Sequence, residues 1–388
     1  MASGSQEGIF NLPIEFNTRT MRVNNIGTAI RQDIQTPKFD PVPQSYPLHP
    51  KQKRMAKWLP LLQGVCNFSA FVLNRKKLSP RENTQRCYEQ FFDPLCADTG
   101  VWPDYTEGHY PNGDETYDEA KLKQFDFILD QSASGPGTKV MDLGCGNGRL
   151  MARAEERGCT AHGVTVSRKQ AEACREMGLD VTVTSFLNIK DVFPANSFDV
   201  IVMNGPTEHF VTEQDVKEGR KAEVQNEIFD IASYLLRPGG RLFITCIHCK
   251  EYTEPTDVMK PVLSHPVGSY LFFCRILVDL YSGWYPDIGE YEQAGLNNNL
   301  VKVFERDATE DYYITSRLWG RKLREYLKEN KRFRNRFLRK LFWNDPRYFF
   351  TAFLYWYYDA WTWQFRPAPQ SPMYHRWLMF EKTEAGIG

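Results

Sequence analysis

The sequence predicts an α/β fold built on a doubly wound parallel sheet, and three observations carry that reading. Short β-branched runs alternate with helical stretches from residue 138 to about 250. A cluster of glycines sits where the first of these runs turns into a helix. The composition, 42% hydrophobic over 388 residues, can fill a core larger than that of one typical domain.

In chain order, residues 1–50 are rich in proline (Pro13, Pro37, Pro41, Pro43, Pro47, Pro50) and lack either period, so they read as an extended N-terminal arm. Residues 51–130 read as a helical segment covering the site. It opens with KQKRMAKWLPLLQGVCNFSAFVLNRKK, an apolar stretch between basic flanks, interrupted by Pro60 and Gly64. That stretch is a core-packed helix on the commoner reading and an interfacial, membrane-touching helix on the other. Residues 131–250 form the expected nucleotide-binding core. Its strands are expected at 138–143, 160–166, 181–186, 198–204 and 241–247, and its helices at 148–158, 167–178 and 222–236. Residues 251–388 read as an acceptor-binding insertion with helices and closing strands: irregular to about 310, helical from about 311, with a late strand at 374–382. The basic stretch RKLREYLKENKRFRNRFLRK (321–340) reads as a solvated helix, with phosphate or lipid-headgroup contact as the alternative. The aromatic run at 341–363 reads as core packing or as a pocket wall.

Lysine plus arginine equals aspartate plus glutamate at 48 each, so no global field draws the chain to nucleic acid. Nine cysteines, an odd number scattered through core-like segments, fit a reducing compartment, and no stretch offers about 18 uninterrupted apolar residues. The expectation is a cytoplasmic protein, with peripheral membrane contact as an option. Cys246 and Cys249 have a chelating spacing but no partner pair, so no metal site is expected.

VMDLGCGNG (140–148) places Gly144, Gly146 and Gly148 at a strand-to-helix turn, where glycine permits positive φ and close approach of a ligand to the backbone. The third glycine comes one residue too early for a dinucleotide fingerprint, and no phosphate-binding lysine follows. Asp142 at the strand end suits a ligand with an ammonium group, such as the methionyl part of S-adenosylmethionine. At the end of the next strand, GVTVSRKQ (163–170) offers Thr165 and Gln170, an uncharged pair able to bind a ribose diol.

At these residues the chain resembles the cyclopropane fatty acid synthase and mycolic acid methyltransferase family, whose ribose motif has the form G-[VI]-T-x-S-x-x-Q. Further segments are similar to that family in its order: RCYEQFFD (86–93), YTEGHYPNGDETYDEAKLKQFDFIL (105–129), FDVIVMNGPTEHF (198–210), DYYITSRLW (311–319) and YYDAWTWQFR (357–366). The resemblance implies a Rossmann-like class I methyltransferase that uses S-adenosylmethionine. The implied cofactor contacts are Tyr105, Asp142, Gly144, Cys145, Gly146, Thr165 and Gln170, with adenine near Ser185 and Phe186. On the acceptor side the implied catalytic residues are Glu107, Glu208, His209 and Tyr312.

Members that form cyclopropanes resemble one another in holding bicarbonate with a cysteine, a glutamate, a histidine and a tyrosine. Here the cysteine position carries Glu107 and the histidine position falls on Thr245. A carboxylate at 107 repels bicarbonate, so bicarbonate-dependent cyclopropanation is not expected. The expected reaction is methylation of carbon in a lipid- or terpenoid-like acceptor. One alternative is N-methylation of a small amine with His209 as base, as in the family's plant alkaloid N-methyltransferases. A non-catalytic S-adenosylmethionine-binding protein is the other.

Overall fold

The computed structural model describes residues 42–95, 99–101, 104–250, 253–367 and 370–383. Most of the arm expected over residues 1–50 therefore lies outside the described residues. Its end, from 42, is docked: Val42 and Tyr46 are buried, and Ser45 bridges to Ser269.

Seven strands form one sheet: β1 (Lys139–Leu143), β2 (Thr160–Thr165), β3 (Asp180–Val183), β4 (Phe198–Asn204), β5 (Leu236–Cys249), β6 (Leu300–Asp307) and β7 (Met373–Lys382). Their spatial order is β3-β2-β1-β4-β5-β7-β6. The first five pair in parallel, and β7 runs antiparallel between β5 and β6. The switch in strand order lies between β1 and β4, and the carboxyl ends of those strands open the crevice where such sheets take ligands.

The helices that position the site are α1 (Pro50–Ala56), α2 (Leu59–Val72), α3 (Pro80–Arg86), α4 (Tyr117–Gln131), α5 (Arg149–Glu156), α6 (Arg168–Glu176), α7 (Lys221–Leu235), α8 (Tyr270–Tyr281), α9 (Glu290–Asn297), α10 (Thr309–Glu329), α11 (Lys331–Asn344) and α12 (Pro346–Tyr357). Local chemistry starts several of them. Ser79 and Thr116 each close a capping box, with Glu82 and Glu119 bonded back to the cap. Gly148, at φ 79°, is the N-cap of α5.

The structure corrects three boundaries. The segment expected to be irregular from 250 to 310 contains α8, α9 and β6. In α8 nine of twelve residues are buried, so the apolar run YLFFCRILVDLY shows no polar face to give it a period. β3 stops at Val183, because Ser185 caps a following turn by accepting from the Leu187 amide. β5 starts five residues earlier than 241, pairing Leu236 with Phe198 across a bulge.

Candidate active site

The glycine turn follows β1. Gly144, Gly146 and Gly148 have φ of 99°, 51° and 79°, a conformation L side chains rarely adopt. A Cβ on Gly144 would lie 2.8 Å from Pro206, after β4, so the two loops at the switch point touch there. The amides of Gly144 and Cys145 both donate to the Val164 carbonyl, and that of Gly148 donates to the Cys145 carbonyl. These three amides tie the turn to β2 and to itself and are not free for a ligand. The Cys145 side chain is buried in the core, so only its backbone borders the turn.

Asp142 is buried and its Oδ1 has no hydrogen-bond partner. Burial pushes its carboxyl up to about 7 against the pull of buried Lys121, with Asp104 adding to the rise. An orphaned carboxylate oxygen beside a glycine turn is the feature an incoming ammonium or hydroxyl would satisfy. At the end of β2, the Thr165 hydroxyl donates to Gln170 Oε1 (2.8 Å) and accepts from the Ser167 amide. That orients the Gln170 carboxamide and leaves its Nε2 to donate elsewhere. Phe186 stacks on Phe210 at 4.4 Å between ring centres, an aromatic face beside Ser185. The Tyr105 hydroxyl donates to Asp93, a buried residue that sequence reasoning did not single out. This donor set fits an aminoacyl nucleoside such as S-adenosylmethionine.

The acceptor-side residues come from three parts of the chain. Glu107 lies in a loop pressed onto α4, where Gly108 leaves no room for a Cβ: one would fall 2.5 Å from that of Ala120. The loop is pinned to α10 as well, through Gly108 N to Thr315 Oγ1 (3.0 Å) and Tyr110 N to Asp311 Oδ1 (2.7 Å). Glu107 has no exposed surface. Its Oε1 accepts from Trp377 Nε1 (2.6 Å) and Gln124 Nε2 (2.8 Å), and His375 Nε2 lies 2.9 Å away, off the line of a hydrogen bond. Burial alone would raise this carboxyl; the charge of His375 and of Lys121 overrides it and holds the group well below the usual range. Its Oε2 is unpartnered. Lys121, Gln124, His375 and Trp377 were missed from the sequence. The first two stand three apart on one face of α4, and the last two lie on a strand with no visible alternation.

Glu208 and His209 follow β4 in one short turn but do not act on each other. Glu208 Oε1 accepts from the Ile247 amide of β5 (2.9 Å), and Oε2 is buried without a partner. Burial pushes the Glu208 carboxyl up to about 7. His209 Nε2 contacts the Tyr88 hydroxyl at 2.7 Å, and burial lowers this imidazole to about 4. It is neutral at physiological pH and weak as a base, which weighs against its expected role toward an amine. Tyr312, on α10, stacks on Phe365 at 4.1 Å, meets His375 edge-on at 4.7 Å, and donates a long bond to the Tyr105 carbonyl (3.5 Å).

Glu208 and His209 border a cavity of about 240 Å³ walled by Tyr270, Leu277, Tyr281, Trp284 and Tyr285, with Lys221 and Asp287 also on its lining. Glu107 and Tyr312 are not on that wall. Cys246 and Cys249 diverge, as residues three apart on a strand must: Cys246 Sγ meets Tyr291 and Cys249 lines the cavity. Among the described residues no cluster of three histidine, cysteine or carboxylate side chains could hold a metal.

A seven-stranded α/β sheet with a glycine turn and an orphaned strand-end carboxylate at its switch point, and an aromatic cavity bordered by the turn after β4, defines a class I nucleoside-cofactor fold. The chain belongs to the mycolic acid cyclopropane synthetase family, whose model matches residues 80–352. It is 32% identical over 195 residues to a geranyl diphosphate 2-C-methyltransferase of Streptomyces lasalocidi, covering 48% of this chain and 56% of that one. To cyclopropane mycolic acid synthase 1 of Mycobacterium tuberculosis it is 26% identical over 227 residues, covering 56% and 72%. The chain thus spans about half the length of the first of these relatives. A solved cyclopropane synthase of Mycobacterium tuberculosis shares the fold at TM-score 0.59 and 20% identity, covering 78% of this chain and 98% of that one. So does a coclaurine N-methyltransferase, at 0.56 and 15%, covering 88% and 90%.

Proposed function

We propose that the protein is an S-adenosylmethionine-dependent methyltransferase acting on carbon of a hydrophobic, lipid- or terpenoid-like acceptor, and that it works at a lipid surface. The observation that carries this reading is Glu208, a residue on the lining of an aromatic-walled cavity whose buried carboxyl is pushed up to about 7 and keeps one oxygen without a partner. The family and the carbon methyltransferase among the relatives support it.

Asp142, Thr165 and Gln170 would hold the cofactor, with Phe186 beside the adenine. When bound, S-adenosylmethionine supplies an electrophilic methyl group. Methylation of an alkene carbon leaves positive charge on the acceptor. The rings of Tyr281 and Tyr285 and the carboxylate of Glu208 would stabilise that charge. Glu208 Oε2 then takes the proton the acceptor carbon loses, which its raised pKa allows near neutral pH. Glu107 and His375 set the field behind Tyr312. His209, neutral and bonded to Tyr88, shapes the wall.

The test is incubation with methyl-labelled S-adenosylmethionine and separate lipid and amine extracts. Label in the lipid pool is expected. Label in the amine pool alone points to nitrogen methylation, and label in neither points to a binder without catalysis.

A further inference from the structure

Helix α2 is apolar on two opposite faces. Leu59, Cys66 and Ala70 are buried, and the helix packs on α12. On the other side Trp58, Leu61, Val65, Phe68 and Val72 follow a spacing of three and four residues, with Phe71 beside them, and all six are exposed, Phe71 at 81% and Phe68 at 67%. A helix apolar all round is normally buried all round, and a monomer seldom shows solvent so large a continuous apolar stripe.

The segment that carries the stripe is bonded to its neighbours at both ends. At its start Gln52 Nε2 donates to the Tyr357 carbonyl and the Tyr358 hydroxyl donates to the Gln52 carbonyl. At its end Arg347 donates to the carbonyls of Arg75 and Lys76, and Arg75 donates to the Trp343 carbonyl at 2.6 Å. That last bond brings the end of α11 alongside, with exposed Leu338 and Trp343.

Along the sequence, the charge in the segments that carry the stripe and the adjoining α11 has one sign. Between Asp40 and Glu82 the sequence holds no acid and eight cations, Lys51, Lys53, Arg54, Lys57, Arg75, Lys76, Lys77 and Arg81. Between Glu329 and Asp345 it holds no acid and six cations. The whole chain is neutral, so this concentration is a local feature. Among the described residues no helix is long and apolar enough to cross a membrane.

We infer that the exposed face of α2, with the basic end of α11, is a docking surface for an anionic phospholipid bilayer. The aromatic and aliphatic side chains enter the acyl boundary while the flanking lysines and arginines meet the headgroup phosphates. An apolar stripe alone would fit a second copy of the chain equally well; the fourteen cations in these two segments argue for a lipid surface, because two like faces would repel. One helix lies between the surface and the acceptor cavity: α12 packs against both α2 and the cavity-lining α8. The biological purpose rests on the lipid-acceptor reading, but the surface can be tested apart from it.

The test is flotation of the full chain with phosphatidylcholine vesicles with and without phosphatidylglycerol, at low and high salt. Binding that needs phosphatidylglycerol and weakens with salt is expected. Phe68→Glu with Phe71→Glu should lower it roughly tenfold or more, and Lys76→Glu with Lys77→Glu should remove the preference for anionic lipid. Both variants should keep the wild-type melting temperature and methylate a detergent-dispersed acceptor at the wild-type rate. Absence of vesicle binding by the wild type, or full binding by the aromatic double variant, overturns the inference. So does a dimer in light scattering that Phe71→Glu dissociates. Loss of methylation in the wild type would instead sink the enzymatic reading and leave the surface standing.

Discussion

Glu107 and Glu208 are both buried, and their surroundings push them in opposite directions. Three nitrogen groups gather on one oxygen of Glu107, whereas a single backbone amide serves Glu208. Two carboxyls driven apart in this way take different roles: one stays ionised as fixed charge and the other exchanges a proton. In the proposed reaction Glu208 acts as a base only when ionised, so kcat should rise as pH passes upward through about 7 and then level off. In Glu208→Gln kcat should fall by about a hundredfold or more with that rise abolished, while the affinity for S-adenosylhomocysteine stays put. A pH–rate profile beside a binding isotherm reads both. Glu107→Gln belongs to a different class of change. It leaves His375 and Lys121 buried without their carboxylate, and should cost about 3 kcal/mol or more of stability in denaturant titration. Because the Glu107 pKa is depressed, its stabilisation is present above the unfolded value near 4.5 and is lost as pH falls through the lower folded value. Asp142 has the opposite sign. Below about 7 it carries a proton in the free protein, so binding of a cationic aminoacyl group must expel that proton. Affinity for S-adenosylhomocysteine should therefore fall by up to about tenfold per pH unit below 7, and Asp142→Asn should flatten the dependence.

At the scale of elements, the turn from β1 into α5 is where the backbone is most constrained. Gly144→Ala adds a Cβ at φ 99° and 2.8 Å from Pro206. It should weaken S-adenosylhomocysteine binding at least tenfold by parting the two loops, with far-UV circular dichroism unchanged. The placement of Asp142 and Gly144 where β1 turns into α5, and of Thr165 and Gln170 where β2 leads into α6, was legible because strand, turn and helix chemistry all agree there within thirty residues. β4 was read to the residue from FDVIVMN, whose interior is apolar and whose end meets a glycine. α8 and β6 were not legible: a helix buried on almost every side has no polar face, and β6 alternates only loosely at the sheet edge. The setting of Glu107 was half legible. Its position by α4 followed from the segment it sits in, but its partners His375 and Trp377 lie about 270 residues away on β7, brought in by sheet register alone.

For the molecule as a whole, β7 joins the site to the C-terminus. It pairs Trp377 with Thr245 and His375 with Ile247, so the strand that completes the sheet also supplies the groups that hold Glu107. Trp377, Leu378 and Phe380 are wholly buried. Removing the chain from Met373 onward should leave an aggregating, uncooperatively unfolding protein rather than a stable enzyme lacking one function, as seen by scanning calorimetry. With Glu107 at a position where cyclopropane-forming relatives resemble one another in carrying cysteine, methyl transfer should be equally fast in bicarbonate-depleted and bicarbonate-supplemented buffer. A strong dependence would mean that the Glu107 field does not act as described. All of this presupposes a nucleoside cofactor between β1 and β4. Isothermal titration of the purified full chain with S-adenosylhomocysteine at pH 8 should give one saturable site per chain, lost or strongly weakened in Gly144→Ala; no heat with the wild type, or unchanged heat with that variant, would contradict it.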